Sequence, residues 1–202
     1  MVLLAIFVAV ASAAPSNSPP VPVYSVDELA RMATEPGHVE TLESSESDPV
    51  GQAGLWGMVG DFVVAHSCDV AFAALSDIEK FPERMEKVKH VKVIERTPRS
   101  LLVDYTEAGM GLEANSTVLW LFAEDKRRIT SRNVGPDDPK SWTEQRFREL
   151  GPGYCGVTFS AFVDVSWIPN FILNFAASSA LEETAAVFRR TIAMSTAPPK
   201  VE

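Results

Sequence analysis

The 202-residue chain is poor in basic residues, in histidine and in long apolar runs. Its 18 lysines and arginines stand against 27 acidic residues, which gives a net charge of −9 at pH 7. A nucleic-acid-binding protein needs a basic stripe, and an anionic membrane surface also attracts basic residues. The composition therefore argues against nucleic acid as a partner and against electrostatic docking on anionic lipid.

The sequence also lacks the motifs of several enzyme classes. Its three histidines, His38, His66 and His90, do not have the spacing of metal ligands. It contains no Gly-x-Ser-x-Gly elbow of a serine hydrolase. Gly109 and Gly111 lack the rest of a dinucleotide fingerprint and fall in a predicted hairpin. We therefore predict no metal site, no catalytic residue and no cofactor.

One apolar run stands out, at the start of the chain from Met1 to Ala11. It is too short to anchor a protein stably across a bilayer, and Ala11-Ser12-Ala13 follows it as a cleavage pattern. No lysine or arginine precedes the run, and a buried N-terminal strand is the alternative. We expect a signal peptide over residues 1–13, cleavage near Ala13, and a secreted or periplasmic protein.

The length fits one domain with a sizeable core. Residues 14–22 have the composition of a disordered spacer, and Ser25 followed by Glu28 is a capping box that predicts a helix from Ser25 to Thr34. His38 to Leu42 reads as a short strand. We expect a partly disordered N-terminal extension over 14–54, a folded domain over 55–196, and a disordered tail over 197–202.

From Leu55 onward the pattern predicts an α+β fold. A strand over 55–66 is followed by a helix over 69–78 and a helical turn around Phe81-Pro82. Turn residues then separate six alternating segments: 88–96, 101–108, 113–122, 128–134, 142–150 and 155–167. A long amphipathic helix ends the fold, with apolar residues at helical spacing: Ile168, Phe171, Ile172, Phe175, Leu181, Ala185, Phe188 and Ile192.

Three segments within this order resemble the START-like (SRPBCC) superfamily of polyketide cyclases, coenzyme Q-binding proteins and lipid-transfer START domains. They are Asp69 to Val88, with its Asp, Phe-Pro and Met, then Val88 to Glu95, and Ser166 to Asn174, with Pro169 opening the helix. The resemblance implies a helix-grip fold, in which a seven-stranded antiparallel sheet curls around the C-terminal helix. Two short helices lie between strands 1 and 2. A family member of this kind holds an apolar ligand in a tunnel and has no universal catalytic residues.

The tunnel has two opposing interpretations. Small residues from Ala176 to Ala180 leave space above the sheet, or bulky residues such as Trp120 and Phe122 fill it. If the tunnel is open, we expect twelve residues to line it: Met58, Phe62, Val64, Val103, Tyr105, Leu119, Arg132, Phe147, Phe159, Ala161, Phe175 and Ser178.

In the implied fold the first and last strands are neighbours, so Cys68 and Cys155 could lie close enough to form a disulfide. A register that sets Cys68 opposite Cys155 also sets Phe62 opposite Ala161 and Met58 opposite Val165, with apolar residues on one face. We predict a Cys68–Cys155 disulfide that adds about 3–4 kcal/mol. The alternative is two buried free thiols.

The expected function is binding, and transport, of an apolar small molecule such as a lipid, a sterol or a quinone-like isoprenoid. The C-terminal helix and the loops near 77–87, 109–111 and 135–141 would form the gate. Transient membrane contact is compatible with this function, and the sequence does not identify whether there is a protein partner.

The alternative is a cyclase-like or hydrolase-like enzyme for a polyketide or aromatic substrate. Such an enzyme would need an inward acid–base pair, His66 or Glu107 with Tyr105 or Arg132. A symmetric hairpin at 109–111 would make Tyr105 and Asn115 cross-strand neighbours. A third interpretation is a filled fold with an interaction role.

Overall fold

A computed structural model describes residues 24–44, 54–109, 112–164 and 170–196, with backbone alone for 109, 112 and 170–178. These residues form one eight-stranded antiparallel sheet and four α-helices, with β3 at one edge, a meander to β8, and then β2 and β1. The helices are α1 (Val26–Met32), α2 (Cys68–Ser76), α3 (Phe81–Arg84), preceded by a 3₁₀ turn (Ile78–Lys80), and α4 (Asn170–Thr196). The strands are β1 (His38–Glu43), β2 (Trp56–Val64), β3 (Val88–Thr97), β4 (Ser100–Gly109), β5 (Leu112–Phe122), β6 (Arg128–Asn133), β7 (Ser141–Gly151) and β8 (Tyr154–Val163).

The predicted α+β class and helix-grip arrangement are confirmed, but the sheet has eight strands where seven were expected. The additional strand is β1, which pairs with β2 so that His38 lies opposite Asp61 and Glu43 opposite Trp56. It was expected as an isolated short strand in the N-terminal extension. It joins the sheet because the β2 edge next to it would otherwise leave a row of backbone groups unpaired.

Local sequence explains where the short helices begin. Ser25 accepts a hydrogen bond from the Glu28 backbone N–H, and the Glu28 carboxylate accepts one from the Ser25 backbone N–H, so the predicted capping box is present. Ser67 caps α2 by accepting from the Val70 N–H at 3.4 Å. Arg84 of α3 donates to Asp77 at 2.9 Å and to the Ala74 carbonyl at 3.3 Å. These bonds fix α3 against the end of α2.

The C-terminal half of α4 packs on the inner face of the sheet, the concave face that also meets α2. Its apolar residues Leu181, Ala185, Phe188 and Ile192 are all buried there, as their helical spacing predicts. Gly60 of β2 allows a close approach of α4, because a Cβ at this position would lie 2.4 Å from Leu181 Cδ1. The other predicted residues of this face, Ile168, Phe171, Ile172 and Phe175, lie outside the described side chains.

Arg189 fastens α4 to two other elements. Its Nε donates to the Val63 carbonyl at 3.0 Å. Its Nη2 donates to the carbonyls of Glu35 at 2.7 Å and Met32 at 3.3 Å. Met32 and Glu35 lie at and just beyond the end of α1, where helix carbonyls lack intrahelical partners. The guanidinium also lies 5.9 Å from the centre of the Phe62 ring. One side chain thus joins α4, β2 and the N-terminal extension.

A disulfide joins Cys68 to Cys155, with 5.0 Å between the Cα atoms. The register from which the pair was predicted is wrong, because Val64 lies opposite Cys155, Phe62 opposite Val157 and Met58 opposite Ala161. The chain leaves the strand after Val64, and Cys68 opens α2 instead of extending β2. The actual register differs by four residues, an even number, so the inward faces were still assigned correctly.

The outer, convex face of the sheet has a small apolar cluster of its own. Phe162 and Trp142 are cross-strand partners with ring centres 5.8 Å apart, and Leu55 completes the buried group. This cluster explains why Phe162 interrupts the alternation of β8.

None of the helices among the described residues is long and apolar enough to cross a membrane.

Replacing Arg189 with Met should lower the free energy of unfolding by about 2–4 kcal/mol, because three carbonyls lose a charged donor. Arg190→Met, at an exposed position on the same helix, is the matched control and should change stability by less than about 0.5 kcal/mol. Urea titration of both variants measures the difference. Equal stabilities would show that Arg189 does not hold α4 in place.

Replacing both cysteines with Ala should lower the free energy of unfolding by up to about 4 kcal/mol, since loop-closure entropy grows with the length of the closed loop. The two residues are 87 positions apart, and both are fully buried. Urea titration of wild type with and without dithiothreitol, beside the double variant, tests this. Wild-type stability that is insensitive to complete reduction would contradict it.

Candidate functional site

A cavity of about 960 Å³ lies between the inner face of the sheet, α3 and α4. We call it the inner cavity. One side is apolar, formed by α3, β5, β8 and α4: Phe81, Met85, Val118, Trp120, Phe159, Val187 and Phe188. The floor over β6 and β7 is polar: Ser131, Asn133, Ser141, Thr143 and Gln145. Space is therefore present above this part of the sheet, while the side chains of Ala176, Ala177 and Ser178, on which the open interpretation depended, lie outside the described structure.

Two of the twelve residues predicted to line the tunnel, Tyr105 and Phe159, do line the inner cavity. A further six are on the inner face but belong to the filled core: Met58, Phe62, Val64, Val103, Phe147 and Ala161. The side chains of Phe175 and Ser178 lie outside the described part of the structure. Ala180, from the small-residue stretch of α4, borders the cavity.

Leu119 and Arg132 were wrongly assigned to the tunnel. They are cross-strand partners on the outer face, and Arg132 is exposed. The sequence Val118-Leu119-Trp120 is apolar throughout, so alternation could not tell which residues face inward. The register decides, because Val118 lies opposite the fully buried Val103.

Aromatic packing fills the inner face at the β2–β8 end. Phe72 of α2 packs edge-on against Phe147 at 5.8 Å, and Phe188 of α4 packs against Phe62 at 5.8 Å and Phe159 at 6.0 Å. These helices cover the predicted lining residues there. The cavity is consequently confined to the half of the sheet nearer α3, where a Trp120–Phe81 contact at 5.9 Å forms one wall.

The polar floor of the inner cavity is a contiguous group of side chains. Ser131 lies opposite Trp120 on one side and opposite Thr143 on the other, and Gln145 follows two residues after Thr143 on the same face. The hydroxyls of Ser131 and Thr143 hydrogen-bond at 2.7 Å. The buried Trp120 Nε1 and Gln145 Oε1 have no hydrogen-bond partner among the described residues.

A second polar pair lies toward the mouth of the cavity. The Tyr105 hydroxyl donates a hydrogen bond to the Glu107 carboxylate. Burial raises the pKa of Tyr105 most, and the negative charge of Glu107 and this hydrogen bond raise it further. The Glu107 side chain as a whole remains exposed, yet its carboxyl is desolvated enough to raise the pKa of Glu107. Tyr105 therefore stays protonated at neutral pH. Its cross-strand neighbour is Ser116, since Asn115 pairs with Thr106, one residue away from the predicted register.

Three elements meet at the mouth of the inner cavity. Lys87, between α3 and β3, forms an exposed ion pair with Glu183 of α4. Pro139 lies in the loop 135–141 on the opposite side of the mouth. Its carbonyl accepts a hydrogen bond from the Asn133 side-chain amide at 3.0 Å. The predicted gate segments 77–87 and 135–141 thus both contribute to the rim. Residues 110 and 111 of the third segment lie outside the described structure.

Other candidates for chemistry do not converge on the inner cavity. His66 is half-buried in the turn before α2 and is not a lining residue, and Arg132 faces outward, so neither can pair with Glu107 in the cavity. Within the described ranges, no group of three or more potential metal ligands lies together.

A second concavity of about 1110 Å³ lies on the outer face beside α1. Four arginines border it, Arg127, Arg128, Arg146 and Arg148, together with acidic residues that include Glu35, Asp61 and Asp125. Arg146 pairs with the buried Glu144, and Arg127 lies 3.1 Å from Asp69. Because its charges are of both signs and largely paired, we favour the inner cavity as the functional site.

The sequence did not indicate the residues of the polar floor. Polar residues such as Ser131 and Thr143 occupy inward positions of β6 and β7, where alternation assigns apolar residues to the inner face. Arg132, by contrast, was placed inward. A register worked outward from the β7–β8 hairpin would have missed them as well, because the pairing shifts by one residue between Glu149 and Gly151, and only after that shift does Gln145 lie opposite Phe159.

The family and fold of the chain follow from comparison with known proteins. The family model for polyketide cyclase/dehydrase and lipid transport matches residues 64–189. No sequence among curated proteins matches the chain.

Solved structures share the fold at low identity. A START superfamily protein from Mycobacterium smegmatis has a TM-score of 0.60 and 18% identity, covering 69% of this chain and 99% of its own. The Zhui aromatase/cyclase from Streptomyces sp. R1128 has a TM-score of 0.57 and 13% identity, covering 81% and 100%. A STAR-related lipid transfer protein from Xanthomonas axonopodis has a TM-score of 0.54 and 13% identity, covering 77% and 93%.

The matched residues make up more than half of the chain, so the chain belongs to the polyketide cyclase/dehydrase and lipid transport family, and its fold is the START-like helix-grip fold.

Proposed function

We propose that the protein binds and carries an apolar small molecule, a lipid, sterol or quinone-like isoprenoid, in the inner cavity. The observation that carries this proposal is the space of about 960 Å³ between the sheet, α3 and α4, which opens to the surface and reaches buried residues such as Trp120 and Gln145. Ligand sites typically measure about 300–1,000 Å³, whereas an ordinary core leaves few voids larger than a water molecule. The lipid transfer protein among the structural neighbours is compatible with this function.

The mouth supports a carrier mechanism with a movable side and a fixed side. The loop 135–141 is held by Asp138, which accepts from the Thr117 N–H at 2.7 Å and from the Gly135 N–H at 3.2 Å. On the opposite side, the exposed Lys87–Glu183 pair joins the segment after α3 to α4, and an exposed ion pair contributes only about 0–1 kcal/mol. We propose that the cavity opens between α3 and α4, with loop 135–141 staying in place.

A second candidate function is a cyclase-like enzyme. The specific observation in its favour is the Tyr105–Glu107 pair at the cavity, in which a protonated phenol hydrogen-bonds a carboxylate of raised pKa. Such a pair can donate a proton to a substrate oxygen and accept one from an acidic carbon. The aromatase/cyclase among the structural neighbours is compatible with this candidate.

We also propose that the mature protein acts outside the cytoplasm, in the periplasm or after secretion. The buried Cys68–Cys155 disulfide supports this, because oxidising compartments form and preserve such bonds. N-terminal sequencing of the protein from its own host tests it. A mature chain beginning near Ala14 is expected, whereas a chain that retains Met1 and reduced cysteines would contradict the proposal.

The full chain purified from a secreting host should carry a lipid-like molecule at a stoichiometry near one. Native mass spectrometry followed by organic extraction measures the complex and identifies the molecule. Ala180→Phe should abolish the complex because it fills the cavity beside α4. Ala186→Phe, exposed on the same helix, is the matched control and should keep it. A wild-type protein whose native mass shows no bound ligand after incubation with lipid extract would contradict the carrier function.

The raised pKa of Glu107 predicts a pH-dependent stability. Folding favours the protonated carboxyl, so its contribution is fully present below the unfolded pKa near 4.5 and is lost as pH rises through the raised folded pKa. The melting temperature of wild type should therefore fall relative to Glu107→Gln between pH 4 and pH 8. Glu113→Gln, an exposed carboxylate on β5, is the control. Parallel pH profiles for wild type and Glu107→Gln would contradict the desolvation of this carboxyl.

A further inference from the structure

Two residues that border the inner cavity, Trp120 on its apolar side and Gln145 on its polar floor, each have an unpaired polar atom. Trp120 Nε1 can only donate and Gln145 Oε1 can only accept, and both lack a partner among the described residues. The two residues are 7% and 5% exposed, and both border the cavity. Buried polar groups of folded proteins are almost always paired, so two exceptions in one cavity call for an explanation.

The hydroxyl pair between them adds to the same pattern. Ser131 lies opposite both Trp120 and Thr143, and Gln145 follows two residues after Thr143, so the four residues adjoin on β5, β6 and β7. Of the two hydroxyl hydrogens, the 2.7 Å bond between Ser131 and Thr143 uses one. The other remains available to an incoming oxygen atom.

We infer that the ligand of the inner cavity carries a hydroxyl group on its otherwise apolar skeleton, and that this group is bound by Trp120, Gln145 and the Ser131–Thr143 pair. A hydroxyl both accepts and donates, so one such group can satisfy both unpaired atoms. A ketone or an ether would satisfy only Trp120, and a hydrocarbon neither. This inference rests on the proposed binding function and narrows its ligand class to alcohols, phenols and hydroquinones.

In the ligand-free protein, the two unpaired atoms lower the stability of the fold. Both unpaired atoms are shielded from water, so neither regains a hydrogen bond by solvation, and each destabilises the ligand-free fold. Both residues border the cavity while their unpaired atoms are enclosed, so binding would require the Gln145 amide and the Trp120 indole to turn these atoms toward the bound group. Hydrogen-bonding pockets discriminate strongly against ligands that leave such groups unpaired.

Three naphthalenes of one skeleton test the inference by isothermal titration calorimetry on the full chain. The probe 2-naphthol offers a donor and an acceptor, 2-methoxynaphthalene an acceptor alone, and 2-methylnaphthalene neither. Wild type should bind 2-naphthol about tenfold more tightly than 2-methoxynaphthalene, and that compound more tightly than 2-methylnaphthalene.

Two variants assign the preference to its residues. Gln145→Met should weaken 2-naphthol alone by about tenfold, and Trp120→Phe should weaken both oxygenated probes by about tenfold, with 2-methylnaphthalene unchanged. Trp142→Phe is the matched control, since Trp142 is also 7% exposed but lies in the outer cluster. Ligand-free Gln145→Met should melt at a higher temperature than wild type, because it removes an unpaired acceptor.

The outcomes separate this inference from the proposed function. Equal binding of all three probes to wild type and variants would leave a ligand cavity but overturn the hydroxyl preference. A lower melting temperature for ligand-free Gln145→Met would also overturn it, since Gln145 would then be a satisfied core residue. If none of the probes binds and no molecule co-purifies with the chain, the binding function itself fails.

Discussion

The closure of α4 onto the β2–β8 end of the sheet is the constraint on which the rest of the structure depends. Gly60 lets Leu181 approach the strand, Arg189 binds the carbonyls of β2 and of the α1 end, and the Cys68–Cys155 disulfide ties α2 to β8. All three contacts lie at the same end of the inner face. Because they fix that end, the helix need not be held by packing along the half of the sheet nearer α3.

The two ends of the inner face differ in how tightly their side chains pack. At the fastened end, Phe62, Phe72, Phe147 and Phe188 interlock and leave no large void. Toward α3, the space between the sheet, α3 and α4 is the inner cavity. The same division separates the parts of the molecule that provide stability from those that can exchange a ligand, which agrees with the weak ion pair at the mouth.

The order of elements and most inward faces could be predicted from the sequence, because alternation and turn residues act locally. Register could not, as the four-residue displacement of β2 against β8 shows: hydrophobic alternation is unchanged by any even shift. The site was less predictable still. Leu119 sits in an apolar run without alternation, and Ser131 and Gln145 break the expectation that inward residues are apolar. Only the three-dimensional pairing of β5 with β6 and of β6 with β7 brings Trp120, Ser131, Thr143 and Gln145 together.

The polar floor also bears on how carrier and enzyme functions could share one fold. A carrier needs only shape and one orienting polar group, and under the proposed binding mode the Trp120–Gln145 region would provide that group without a titratable residue. An enzyme needs a proton donor and acceptor near the reacting atoms, and Tyr105 with Glu107 provides them closer to the mouth. A ligand anchored by its hydroxyl at the floor would present its far end to Tyr105. The two polar groups are therefore compatible within one cavity, and catalysis would require the ligand to bring a reactive carbon to the mouth, a demand that binding alone does not make.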